Sequence, residues 1–153
     1  GPWFYSWVAT KGYFRKYMRN PVKLELEIGG KLHTGVTVLA QNSDPFTYFS
    51  KQPVHVCENV EIDDGSLGMI LLKRANLLDM GMVVPRLLTQ RLRAARHGQV
   101  EAFEKFTEAR VRSASSGEDG NRLPFPVQVD GDYIGVFEEI SLSAAPGALT
   151  IVA

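Results

Sequence analysis

Hydrophobic and polar residues alternate strictly from Lys23 to Ile28, with Leu24, Leu26 and Ile28 on one side and Lys23, Glu25 and Glu27 on the other. A period of two marks a strand with one buried face. Gly29-Gly30 supplies a tight turn, and Lys31 to Gln41 returns as a second strand, so the pair predicts a hairpin. After the Asp44-Pro45 turn, Phe46 to Phe49 and Val54-His55-Val56 read as short extended pieces. Asp63-Asp64-Gly65 turns the chain into an apolar strand, Met69-Ile70-Leu71-Leu72. Alternation resumes from Phe106 to Ala114, where Thr107, Ala109, Val111 and Ser113 oppose Phe106, Glu108, Arg110 and Arg112. Further strands are predicted around Val127 to Val129, Glu139 to Ser143 and Leu149 to Val152. Pro124 and Pro126 place the first of these at an edge.

Two segments carry a helical period instead. Trp3, Trp7, Phe14 and Met18 fall at spacings of four and seven, and Asn20-Pro21 ends that segment. From Leu77 to His97, Val84, Leu88, Leu92 and Ala95 share a face opposite Arg86, Arg93 and Arg96, with a break or restart at Pro85 and a stop at Gly98. Ser115 to Asn121 is a polar loop. The sum is a mainly β, α+β fold: a β-sandwich of about seven or eight strands with an N-terminal helix and one inserted helix. Residues 1–20 form an aromatic and basic helix packing on the domain, and residues 21–153 form the sandwich.

At 153 residues the chain suffices for one domain with a proper core. Seventeen basic and seventeen acidic residues cancel, so no overall field favours nucleic acid. The charge is uneven, however: Lys11, Arg15, Lys16, Arg19 and Lys23 fall in the first 23 residues without one acid. Cys57 is the only cysteine, which excludes an intrachain disulfide and a four-thiolate zinc site and fits a reducing, cytoplasmic setting. No apolar run approaches the ~20 residues that cross a bilayer. The chain opens at Gly1-Pro2-Trp3 without a methionine, which predicts a piece of a longer protein.

Candidate chemistry is sparse. No Gly-x-Ser-x-Gly occurs, His33, His55 and His97 lack metal-ligand spacing, and no glycine-rich phosphate loop is present. Three acidic turns remain. Asp63-Asp64-Gly65-Ser66-Leu67 is either a strand-initiating turn or a hard-cation site built from a carboxylate and backbone carbonyls. Glu118-Asp119-Gly120 lies in a serine-rich loop and reads as solvated. Asp130-Gly131-Asp132 is either a hairpin turn or a pair of carboxylates held toward a reactant as a general base.

The order of these pieces adds a resemblance. An Asp-Asp-Gly-x-Leu turn feeding an apolar strand is followed by Gln128-Val129-Asp130-Gly131-Asp132 and then by Pro146-Gly147-Ala148-Leu149. Over residues 20 to 153 this series resembles the C-terminal lobe of the lipid kinases that include bacterial diacylglycerol kinases, sphingosine kinases and ceramide kinases. The resemblance implies a two-lobed enzyme with a β-sandwich C-terminal lobe and an N-terminal lobe whose Gly-Gly-Asp-Gly-Thr loop holds ATP. That loop is absent here, so ATP is not expected to bind this chain alone. It implies Asp132 as the base for the lipid hydroxyl and Asp130 as its electrostatic neighbour. It also implies a structural Mg2+ at Asp64, with backbone oxygens near Glu61 and Ser66. Asn42 is kept as a site-lining residue. Asp132 departs from the family's usual glutamate, and its carboxylate reaches about one C–C bond, ~1.5 Å, less far.

The function so implied is the lipid-binding lobe of an ATP-dependent lipid kinase, acting on diacylglycerol or a sphingoid-type lipid. The implied setting is cytoplasmic and peripherally membrane-associated. Its partners would be the lipid, the N-terminal ATP-binding lobe and, transiently, an anionic membrane surface. Nucleic acid is not expected, and a homodimer stays open. Trp3, Phe4, Tyr5, Trp7, Tyr13, Phe14 and Tyr17, interleaved with the basic residues, either pack on protein or meet a headgroup layer. The alternative function is a non-catalytic lipid- or protein-binding module with the same sandwich.

Overall fold

A computed structural model describes residues 21–49, 51–74, 86 and 97–148. The helices expected over residues 3–18 and 77–97 and the last strand, 149–152, fall outside the described residues, apart from Arg86 and His97. Among the described residues the chain forms β1 (Leu24–Ile28), β2 (Lys31–Gly35), β3 (Thr37–Gln41), β4 (Thr47–Phe49), β5 (Gln52–Val54) and β6 (Leu67–Leu72). It continues with β7 (Val100–Phe106), β8 (Glu108–Ser113), β9 (Phe125–Val129), β10 (Asp132–Phe137) and β11 (Glu139–Ser143). One sheet has the order β11-β8-β1-β2 and the second β3-β6-β7, and every pairing is antiparallel. These two sheets make the expected sandwich of seven strands. The other strands form two ribbons, β4-β5 and β9-β10.

The alternation read in the sequence becomes the core. Leu24, Leu26 and Ile28 of β1 and Ala109 and Val111 of β8 turn inward against Met69 and Leu71 of β6, with Phe106 and Phe125 closing the cluster. Burying each of the larger aliphatic side chains contributes about 1.5–3 kcal/mol. Glu25 and Arg112 lie on the opposite face, where the Arg112 Nε–H donates to Glu25 at 2.7 Å. Strand β6 is apolar at every position because both of its faces are covered. Met69 and Leu71 face the sandwich core, while Ile70 and Leu72 face a second cluster with Val36, Val56, Cys57 and Val100.

The return strand differs from the expected single run over residues 31–41. It breaks at Val36: β2 pairs with β1, whereas β3 pairs with β6 in the other sheet. Gly35 permits this corner, since a Cβ there would lie 2.6 Å from both Leu71 Cδ1 and the Leu72 carbonyl oxygen. The Val36 N–H donates to that same carbonyl at 2.8 Å. A second link joins the sheets at the surface, where His33 Nδ1 of β2 lies 2.8 Å from Glu101 Oε1 of β7 and the His33 ring stands edge-on to Phe103.

Candidate functional site

Asp130-Gly131 is the two-residue loop between β9 and β10, with Val129 paired to Asp132. Both loop residues have positive φ, 52° and 90°, as a type I′ turn requires. Asp at the first position relieves the left-handed strain that most side chains would incur, and glycine at the second removes it. Asp130, Gly131 and Asp132 are all exposed. Neither carboxylate has an ion pair or hydrogen bond with another described residue. The turn therefore presents two open carboxylates beside the exposed side chains of Val129, Tyr133 and Ile134.

The base of that hairpin is anchored at one end of the four-stranded sheet, where the Ser113 N–H donates to the Glu138 carbonyl at 2.8 Å. Strand β11 then runs the length of β8 toward the other end, and Ala144 N–H donates to Thr107 O at 2.8 Å. There Pro146 meets the Asp64 turn: a Cβ on Gly65 would lie 3.1 Å from Pro146 Cγ. The Asp-Asp-Gly and Pro-Gly-Ala motifs are thus brought together. The hairpin base stands at the far end of β11, five residues or roughly 17 Å away. Asn42 follows Gln41, which pairs with Gly68, so it lies at the Asp64 end and is exposed.

Asp64 is engaged by its own turn. Its Oδ1 accepts the Ser66 N–H at 2.8 Å and the Ser66 hydroxyl at 2.6 Å, and its Oδ2 accepts the Glu61 N–H at 3.2 Å. Lys105 Nζ stands 3.7 Å from the same Oδ2. The Ser66 hydroxyl, then the Glu61 and Ser66 amides, hold the carboxyl at about 2, well below its ordinary range, and Lys105 adds to the effect. A carboxylate offers about four lone-pair sites, and these hydrogen bonds take three of them. The Glu61 carbonyl is also occupied, by the Asp64 N–H at 3.2 Å. Among the described residues no group of three or more His, Cys, Asp or Glu side chains is placed to hold a metal. The Asp64 carboxylate is thus held by three N–H or O–H donors of its own turn, with the Lys105 ammonium nearby.

The chain shares its fold with part of a diacylglycerol kinase. That kinase, from Bacillus anthracis str. Sterne, matches with a TM-score of 0.52 at 13% identity, over 87% of this chain and 43% of its own. Two further chains from the same strain, provisionally called diacylglycerol kinases, give TM-scores of 0.47 and 0.48 at 16% and 14% identity. They cover 90% and 86% of this chain and 48% and 42% of theirs. The chain therefore spans less than half the length of each. No protein-family model and no curated protein matches the sequence.

Two polar arrangements near Asn42 escaped the sequence reading. Gln41 is buried, and its side chain bridges to Cys57, donating to the carbonyl at 2.6 Å and accepting from the amide at 3.4 Å. His55 Nδ1 lies 2.9 Å from Asp44 Oδ1, tying the β4-β5 ribbon to the loop that follows β3. Its buried Nε2 has no hydrogen-bond partner among the described residues. A glutamine closing the apolar run Val38-Leu39-Ala40 was the available signal for the first. For the second there was none, since eleven residues separate the partners.

Proposed function

We propose that this chain is the lipid-binding lobe of an ATP-dependent lipid kinase of the diacylglycerol kinase type, which moves the γ-phosphoryl group of ATP to a lipid hydroxyl. In this reading Asp132 accepts the hydroxyl proton as the lipid oxygen forms its bond to phosphorus and the bond to ADP breaks. Asp130 is its electrostatic neighbour, and Asn42 lines the approach. The nucleotide, with the Mg2+ it carries, is a substrate brought by an ATP-binding lobe. Phosphoryl transfer asks the protein chiefly for positioning and charge neutralisation, and a lipid alcohol also needs apolar surface beside the base.

The observation that carries the reading is the hairpin tip. It holds two carboxylates without a partner among the described residues, next to exposed apolar side chains, on a fold shared with part of a diacylglycerol kinase. Peripheral attachment to an anionic membrane in the cytoplasm belongs to the same proposal. The test is lipid phosphorylation by the protein that carries the ATP-binding lobe. Asp132→Asn should lower turnover by about 10²–10⁴, the usual contribution of a positioned base, while Asp132→Glu retains activity. Near-normal turnover of a folded Asp132→Asn protein removes Asp132 from the mechanism.

A further inference from the structure

The two ends of the β9-β10 ribbon call for registers that differ by one residue. At the base, Phe137 pairs with Phe125, which is fixed in the core. The Glu138 carbonyl accepts the Ser113 N–H at 2.8 Å and Glu139 pairs with Arg112, so the chain leaving β10 is tied to β8. Regular pairing continued from this base would set Gly135 opposite Val127, Ile134 opposite Gln128 and Tyr133 opposite Val129. Asp130-Gly131-Asp132 would then form a three-residue loop, an ordinary hairpin connection. At the tip, the Asp130-Gly131 pair instead makes a two-residue turn, which sets Asp132 opposite Val129 and Tyr133 opposite Gln128.

A bulge between Tyr133 and Gly135 absorbs the difference and leaves Ile134 as the extra residue. Gly135 carries the distortion at φ 135°, a conformation that residues with a side chain rarely adopt. Space is not the restraint, since a Cβ there would meet only the Phe137 ring, at 3.4 Å. The tip register decides what stands opposite Val129. Phe125, Val127 and Val129 alternate onto one face of β9. This row begins in the core, where Val127 packs against the cluster that contains Phe125, and it ends at Val129, which is 52% exposed. Cross-strand partners share a face. The observed pairing therefore puts Asp132 at the open end of an apolar row. Regular pairing would put Tyr133 there and move Asp132 into the loop.

We propose that the Ile134-Gly135 bulge is a positioning device, with Gly135 as the positioning residue, that holds Asp132 in the strand opposite Val129 and keeps it out of the hairpin loop. The inference rests on the reading of Asp132 as the base. One step along a strand is about 3.3 Å, and a misplacement of about 1 Å already costs about 10²-fold in rate. The register that Gly135 permits thus governs whether the carboxylate meets a hydroxyl whose alkyl chain lies along the Phe125-Val127-Val129 row. Re-aiming a side chain beside a site is a recurrent use of a bulge.

Gly135→Val demands ordinary extended backbone at this position and so selects the regular register. In the full chain, nuclear Overhauser contacts from the Val129 backbone to Asp132 should give way to contacts with Tyr133. In the protein that carries the ATP-binding lobe, kcat for lipid phosphorylation should fall about 10²-fold with KM little changed. Deleting Ile134 from the Gly135→Val protein removes the extra residue. It should restore the contacts between Val129 and Asp132 and bring turnover back to that of the Ile134 deletion alone. Shortening the strand would not repair a loss of packing, and the double variant also decides the matter if Gly135→Val alone fails to fold. Persistence of the Val129 to Asp132 contacts in Gly135→Val, or a double variant that does not recover them, would overturn the proposal. So would full turnover of Gly135→Val in the shifted register while Asp132→Asn is inactive, which keeps the base and denies that its place matters. Failure of the base itself reads differently: Asp132→Asn then stays active while the contacts still follow the register.

Discussion

Gly35→Ala is the smallest change that tests how the two sheets are joined. The added Cβ would sit 2.6 Å from Leu71 Cδ1 and 2.6 Å from the Leu72 carbonyl oxygen. The leucine methyl can move, but the carbonyl belongs to the central strand of the three-stranded sheet and accepts the Val36 N–H at 2.8 Å. Relief therefore requires the chain to back away from β6. Overpacking a tight site costs about 1–3 kcal/mol, and a weakened backbone hydrogen bond adds about 0.5–1.5 kcal/mol, so a loss of about 2–4 kcal/mol is expected. With a urea slope of about 1–3 kcal/mol/M, the unfolding midpoint should fall by about 1–2 M. Gly98→Ala is the control, with nothing within 4 Å of the new Cβ and an ordinary φ. It should stay within about 0.5 kcal/mol of the parent. Equal urea midpoints for Gly35→Ala and Gly98→Ala would refute a corner held by close approach of backbone and side chain.

Other substitutions read the turns and the buried thiol. The Asp64 carboxyl, held at about 2 chiefly by Ser66, is depressed below its ordinary value near 3.8. Its stabilising contribution is thus complete above about pH 4 and is lost as the pH falls through 4 toward 2. Asp64→Asn should flatten the dependence of the melting temperature on pH across that window, and an unchanged slope would contradict the assignment. Burial, then Glu104, pushes the Cys57 thiol up to about 11. Iodoacetamide at pH 8 should therefore leave it unmodified until the protein unfolds in urea, and rapid alkylation of the folded chain would refute its inertness. Asp130→Val places a β-branched residue at φ 52° and should cost about 1–2 kcal/mol in thermal unfolding. Asp130→Asn should cost little, and equal losses for both would deny the left-handed turn.

The parts of the fold that follow one simple period were legible in the sequence. Alternation fixed β1 and β8, and their inward residues are the core. The apolar run of β6 was visible as a strand, although its two-sided burial depends on the loop around Val56 and Cys57, which no local pattern announces. The missed strands are those with bulges. In β7, Phe103 and Phe106 both pack toward the core although three residues apart, because the register shifts against Leu67 and Met69. Such a spacing imitates a helix. In β10 the shift between Tyr133 and Gly135 interrupts the alternation in the same way. The sheet change at Gly35-Val36 lies inside an unbroken polar and apolar mixture and leaves no signal beyond the glycine. Of the candidate site, the Asp130-Gly131 turn was legible from its type I′ pair. The engagement of Asp64 by Lys105 was not, because it needs the bulge that gives Lys105 its φ of 55°.

The pairing of β1 with β8 sets the order in which this protein can be completed on the ribosome. Leu24 must wait for Ser113, roughly 90 residues later, and β8 in turn waits for β11, which ends at Ser143. At about 5–20 residues per second, the first interval alone lasts some 4–18 s. Meanwhile the nascent chain offers Leu24, Leu26 and Ile28 with only the β1-β2 hairpin formed, and a lone hairpin is at best marginally stable. Partial translation products should therefore depend on chaperone protection until the region after Ser113 has emerged.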